Sequence, residues 1–173
     1  RHPRSCGEAA PLSTLVLGGT RSGKSQVAEA LAAEAGGPVT YVATGRATDE
    51  EMAARIAAHR ARRPASWATV EAGTDLPGVL RGLDGVALVD SLGTWVAGHP
   101  DLAPDVPALC AALRGRESAG AGDTVVVSEE VGLGVHAPTE AGRRFTDALG
   151  DLNRAVADLA DRALPVVAGR GLP

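Results

Sequence analysis

Gly18-Gly19-Thr20-Arg21-Ser22-Gly23-Lys24-Ser25 follows directly on the short apolar run Thr14–Leu17. It also opens a helical pattern over Ser25–Glu34, in which Val27, Ala28, Leu31 and Ala32 recur at helix spacing before Gly36-Gly37 ends it. The eight residues fit G-x-x-x-x-G-K-[ST] without a mismatch. Glycines let backbone N–H groups converge on phosphate oxygens without side-chain obstruction, and the following helix turns its positive end to the same anion. The Lys24 ammonium reaches β- and γ-phosphates, and the Ser25 hydroxyl can ligate Mg²⁺. The plain alternative, a chance glycine-rich turn after a strand, needs neither the lysine nor the helix.

Outward from this loop, apolar runs alternate with helical patterns. Val39–Ala43 reads as a second strand, Thr69–Glu71 as a brief one, and Val86–Val89 and Thr124–Ser128 as buried ones, with a last strand over Ala163–Ala168. Thr48-Asp49-Glu50-Glu51 spells a capping box opening a helix that runs to about Arg62 and stops before Pro64. The spacing predicts a short helix over Ala108–Arg114 after a proline-marked loop, a turn-rich connector over Gly115–Gly122, and a long amphipathic helix over Thr139–Ala163. Continuous apolar strands alternating with helices imply an α/β fold of the P-loop NTPase-like kind, with a mostly parallel central sheet flanked by helices on both faces. Ligands of such sheets gather at the carboxyl ends of the strands, where Gly18–Ser25, Thr44, Asp90 and Glu129-Glu130 fall.

A chain of 173 residues suits one domain, expected over residues 14–173 behind a loose leader at 1–13 that lacks an apolar signal core. The core must be built of Ala, Val and Leu, because hydrophobic residues make up 45 % and aromatic ones 2 %. A net charge of −4 argues against a nucleic-acid partner, and no apolar run approaches the roughly 20 residues of a membrane span. Cys6 and Cys110 stand apart with no C-x-x-C pair, which indicates neither a metal site nor a disulfide and suits a reducing cytoplasm.

Two further positions invite chemistry. Asp90 ends an apolar strand, the place of a Walker-B carboxylate that holds the nucleotide's metal; its plain alternative is a cap on the next helix. Asp90-Ser91-Leu92-Gly93 also spells the D-x-x-G of GTPase switches, but no N-K-x-D motif accompanies it. His59 shares a helix face with Ile56 and lies about 20° from Met52, which by itself favours a half-buried histidine at the end of an apolar stripe. Arg55 and Arg62 flank that face, and such cations favour a neutral imidazole and can bind a triphosphate.

The loop with its arginine, Tyr41-Val42-Ala43-Thr44, the run Asp49-Glu50-Glu51-Met52, then Arg55-Ile56, His59-Arg60, Arg63-Pro64, Trp67 and Glu71, and finally Val127-Ser128-Glu129-Glu130-Val131-Gly132-Leu133-Gly134, together resemble one family. It is the bifunctional adenosylcobinamide kinase/adenosylcobinamide-phosphate guanylyltransferase family of cobalamin biosynthesis, and the likeness runs from Leu15 to the C-terminus. The resemblance implies that a nucleoside triphosphate, ATP or GTP, phosphorylates the aminopropanol hydroxyl of adenosylcobinamide. GTP then guanylylates an enzyme histidine, and the GMP passes to the cobinamide phosphate. It implies His59 as the nucleophile, in an Ala58-His59 pair where relatives often have two histidines. It also implies nucleotide contacts from Ala43, Thr44 and Gly45, phosphate pairing by Arg60 and Arg63, and Mg²⁺ held by Ser25 and Asp90.

Glu71 would read the guanine edge or stay a solvated carboxylate. Glu130 would orient a metal-bound water, activate the acceptor hydroxyl, or merely cap a helix. Glu129 stands where many relatives have asparagine and adds a negative charge. His136 reads as a loop residue, and His2 and His99 carry no assigned role. A homotrimer is a further implication. The rival readings are a kinase without guanylyl transfer, a P-loop kinase for another metabolite, and a regulatory nucleotide sensor.

Overall fold

The computed structural model describes residues 13–45 and 50–172, and of Glu51, Met52 and Arg55 the backbone alone. The expected leader, except Ser13, and the Thr48-Asp49 part of the capping box lie outside the described residues. The elements run β1 (Ser13–Gly18), α1 (Lys24–Glu34), β2 (Val39–Ala43), α2 (Glu50–Arg62), β3 (Ala68–Glu71), α3 (Leu76–Arg81), β4 (Val86–Asp90) and α4 (Leu92–Ala97). They continue with α5 (Val106–Ala119), β5 (Thr124–Glu129), α6 (Glu140–Ala157), β6 (Arg162–Val167) and β7 (Arg170–Gly171). Ser13, read as leader, is the first residue of β1.

Seven strands form one sheet in the order β3-β2-β4-β5-β1-β6-β7, parallel throughout except for the β6–β7 hairpin. Strand side chains alternate between two cores, as the period of 2 requires. Leu15, Val42, Ala87, Val89 and Val126 face the side covered by α3, α4, α5 and α6, where Trp95, Leu109, Leu149 and Leu152 pack on them. Val16, Tyr41, Leu88, Val125 and Val127 face α1, which supplies Ala28 and Ala32. Small α1 side chains let that helix sit close over the strands, so its first turn is held at the end of β1. No described residue of α2 belongs to either core.

The structure corrects several element boundaries. The short helices α3 and α4 are too brief to show periodicity. Each is set by its cap: Asp75 accepts the Gly78 N–H at 2.9 Å, and Ser91 with Thr94 forms a reciprocal capping box. The α5 helix runs through the supposed connector because Ala112, Leu113 and Arg116 keep one buried face past Gly115, and it ends at Gly120 with φ 64°. The α6 helix ends at Ala157, since β6 must begin at Arg162 to pair with Thr14 of β1. The β7 strand follows a two-residue turn, Ala168 (φ 50°) and Gly169 (φ 78°), that the sequence pattern did not show.

Arg116 ties this frame together. It is 3 % exposed, and its guanidinium donates to the carbonyls of Leu80, Leu83 and Gly85 and to Thr124 Oγ1. Burial lowers its pKa from the ordinary arginine value, with Asp84 opposing. Arg116→Ala leaves three carbonyls between α3 and β4 without their donor and should cost about 3–5 kcal/mol. Urea denaturation monitored by circular dichroism checks this; a loss below about 1 kcal/mol would contradict the clamp.

Candidate functional site

The phosphate loop is built where β1 gives way to α1. The Ser22 N–H donates to the Gly19 carbonyl at 3.2 Å, and the Lys24 N–H to Ser22 Oγ at 3.4 Å, which folds residues 19–24 into a compact turn. Gly23 stands at φ 89°, and a Cβ there would lie 2.9 Å from Gly169 Cα. A Cβ on Gly18 would meet the Val166 carbonyl oxygen at 2.8 Å, so both positions require glycine. The Gly169 N–H donates to the Ser22 carbonyl at 2.7 Å, so the β6–β7 turn braces the loop from behind. Gly19, Thr20 and Arg21 are exposed. Lys24 Nζ lies 3.4 Å from the Gly19 carbonyl and 3.8 Å from Glu129 Oε1, and Ser25 follows it in the first turn of α1.

Strand register sets the acidic groups beside this loop. Gly18 pairs with Glu129, Asp90 with Val127 and Ala43, and Ala43 with Glu71, so all lie along one edge of the sheet. Glu129 accepts Ser91 Oγ at 2.9 and 3.1 Å and the Gly93 N–H at 3.1 Å. The residue for which the sequence offered no account therefore fastens the start of α4 to the end of β5 and faces Lys24. The Glu130 N–H donates to the Gly18 carbonyl, while its carboxylate accepts the N–H groups of Gly132 and Leu133 at 2.8 and 3.0 Å. It caps a loop rather than a helix.

His59 comes to this edge from α2. Its Nδ1 lies 3.7 Å from Asp90 Oδ2, an ion-pair distance that is too long for a hydrogen bond. Ile56 is exposed, so the apolar-stripe alternative for His59 finds no buried stripe in the described side chains. Arg62 pairs with Glu29 at 3.3 Å; the charged group facing His59 is thus a carboxylate rather than this arginine. The N-cap of α4 is Ser91, which leaves Asp90 out of that role. Tyr41 donates to Asp90 Oδ2 at 3.1 Å, and its pKa is raised far above the ordinary phenol value, by burial first and by Asp90 second, with Arg63 opposing. The phenol stays a donor at any working pH.

Arg63 lies over the Tyr41 ring, its guanidinium carbon 3.5 Å from the centroid, and its Nε donates to the His59 carbonyl at 3.2 Å. Its Nη1 is buried with no hydrogen-bond partner among the described residues. An unpaired buried cationic donor is costly and suits an anion that arrives later. Thr44 is buried between Ser91 and Thr94, each 2.6 Å from its Oγ1, and Gly45 lies against Thr94. Arg60 and Glu71 are exposed, and so is His136. His99 Nδ1 contacts the Trp95 carbonyl at 2.8 Å, a structural position.

The structure thus gathers Lys24, Ser25, Asp90, His59, Arg63 and Thr44 around one strand edge, with Glu71 and Arg60 on its exposed margin. Sequence reasoning missed Tyr41, Ser91 and Thr94 as supports. The S-x-x-T spacing at Ser91–Thr94, directly after Asp90, was the signal that could have found two of them. Among the described residues no three His, Cys, Asp or Glu side chains cluster to hold a metal. No described helix is long and apolar enough to cross a membrane.

Residues 14–173 match the family described as cobinamide kinase / cobinamide phosphate guanyltransferase. The chain is 43 % identical to the bifunctional adenosylcobalamin biosynthesis protein CobP of Pseudomonas aeruginosa over 166 residues, covering 92 % of this chain and 95 % of that protein. It is 33 % identical to the bifunctional adenosylcobalamin biosynthesis protein CobU of Escherichia coli over 180 residues, covering 91 % and 97 %.

Proposed function

This chain belongs to the cobinamide kinase/cobinamide phosphate guanyltransferase family, and from that premise we propose that it runs both reactions at the strand edge around Lys24, Asp90 and His59. In the first, the hydroxyl oxygen of the aminopropanol arm of adenosylcobinamide attacks the γ-phosphorus of ATP or GTP, and the bond to the β-phosphate oxygen breaks. The loop amides of residues 18–25 and the Lys24 ammonium stabilise the charge on the transferring group. Glu130 takes the hydroxyl proton or orients the acceptor, if its carboxylate leaves the Gly132 and Leu133 amides.

In the second reaction an imidazole nitrogen of His59 attacks the α-phosphorus of GTP and pyrophosphate leaves. The cobinamide phosphate then takes the GMP and frees the histidine. The observation that carries this reading is His59 Nδ1 facing Asp90 at 3.7 Å, beside the same edge as the phosphate loop. That carboxylate lies on the Nδ1 side of the ring, which would leave Nε2 for the attack. Arg63 Nη1, buried and without a hydrogen-bond partner among the described residues, would supply the donor for a phosphate oxygen, and the exposed Arg60 a second cation. Ala43, Thr44 and Gly45 line the nucleotide, and Glu71 accepts from the guanine edge.

The Ser25 hydroxyl and Asp90 carboxylate are hard oxygen donors, which fits Mg²⁺ held mainly through the nucleotide's phosphates rather than in a protein cage. When bound, the ion neutralises phosphate charge. We expect the protein in the cytoplasm, as a homotrimer by family likeness.

Incubation with Mg²⁺, GTP and adenosylcobinamide should give first the cobinamide phosphate and then adenosylcobinamide-GDP, resolved by chromatography. No phosphorylated corrinoid with either GTP or ATP would sink the reading. Product that stops at the phosphate would leave a kinase alone.

A further inference from the structure

Beyond the strand edge, the loop between β5 and α6 carries two side chains that the proposed chemistry does not use. Leu133 is 92 % exposed and Val135 99 %, the most exposed large apolar side chains among the described residues. Isolated exposed leucines need no explanation, but these stand two residues apart on one loop. Residues 131–138 contain no Asp, Glu, Lys or Arg, and the charged groups that touch the loop, Glu130 and Arg143, bind its backbone.

The loop is also held at both ends. At its base the Glu130 carboxylate takes the Gly132 and Leu133 N–H groups, and the Glu130 N–H is bound to Gly18 of the phosphate loop. At its far end Arg143 donates to the Ala137 and Pro138 carbonyls, both at 3.2 Å, and Thr139 caps α6.

We infer that this loop is the docking platform for the corrinoid acceptor, with Leu133 and Val135 lying against the apolar face of its macrocycle. The inference rests on the function proposed above and adds where that substrate sits. A triphosphate is polyanionic and is already accommodated by the loop amides, Lys24 and Arg63. The remaining substrate is a broad amphipathic ring whose arm must reach the phosphate loop, and a platform of exposed apolar side chains beginning three residues from Glu130 gives it that reach. A second copy of this chain is a poorer occupant, because stable interfaces bury about 800 Å² per partner and two side chains on one loop supply a fraction of that.

The test is the double variant Leu133→Ser/Val135→Ser. Its KM for adenosylcobinamide should rise roughly ten- to hundredfold while its KM for GTP and the labelling of protein by α-labelled GTP without corrinoid stay as in the parent. Leu133→Met/Val135→Ile, which keeps the apolar contact, should restore the parent KM. An unchanged corrinoid KM overturns the inference and leaves the function standing. So does a change in mass by light scattering, which would assign the loop to contact between copies. A parent protein that neither labels nor turns over the corrinoid would instead bring down the function itself, and the inference with it.

Discussion

Lys24→Ala should silence phosphoryl transfer and guanylyl transfer together, each falling on the order of 10²–10³-fold in kcat or further. The reason is geometric. Lys24 Nζ is held over the loop by the Gly19 carbonyl at 3.4 Å and faces Glu129 at 3.8 Å, so it has a fixed position from which to reach arriving phosphate oxygens. In the proposed mechanism both reactions would draw on that charge, one at the γ-phosphate and the other at the departing pyrophosphate. Removing it also leaves Glu129 as an uncompensated negative charge beside the nucleotide, which should weaken binding as well as slow the chemistry. Glu129 keeps Ser91 and Gly93 as partners, so the fold should survive. Steady-state kinetics of each half-reaction, with thermal melting as the control for folding, decide the matter. A variant that loses only one activity would mean that the two reactions use different cradles.

His59→Ala should split the activities instead. Guanylyl transfer and the acid-labile, alkali-stable label from α-labelled GTP should fall to background, while phosphorylation of the corrinoid continues. On the proposed mechanism, loss of His59 would remove the covalent route, whereas the kinase step would need no bond to the imidazole. The contact to Asp90 is half-exposed at the histidine, and α2 gives no described residue to either core, so truncation there should barely affect stability. Retention of the label in His59→Ala would assign the nucleophile elsewhere. Asp90→Asn should slow labelling less severely than His59→Ala, since it leaves the ring, but it should also slow phosphorylation of the corrinoid, because the carboxylate proposed to hold Mg²⁺ is lost.

The parallel sheet was readable because its central strands β1, β4 and β5 carry buried apolar runs that end in Gly18, Asp90 and Glu129. The cradle was readable because eight consecutive residues specify it. What escaped was information carried by partners far apart in the chain. Glu129 acquires its partners only when β4 and β5 lie side by side, and Tyr41 meets Asp90 only across β2 and β4. A pattern search along the chain sees neither. The α3 and α4 helices escaped because six residues span too few turns to display an apolar face, so that their caps carry the signal. The end of α5 was misread because Gly115 looked like a stop, whereas Arg116 one residue later is buried and bonded to four groups.

The Ala168-Gly169 turn, whose N–H grips the Ser22 carbonyl, has a consequence for biogenesis. During translation the phosphate-binding segment leaves the ribosome long before the residues that buttress it. Until Gly169 has been made, the emerging chain lacks the donor that braces the loop at Ser22 in the structure. On the proposed function, nucleotide would meet a fully braced loop only once β6 and the turn after it had formed.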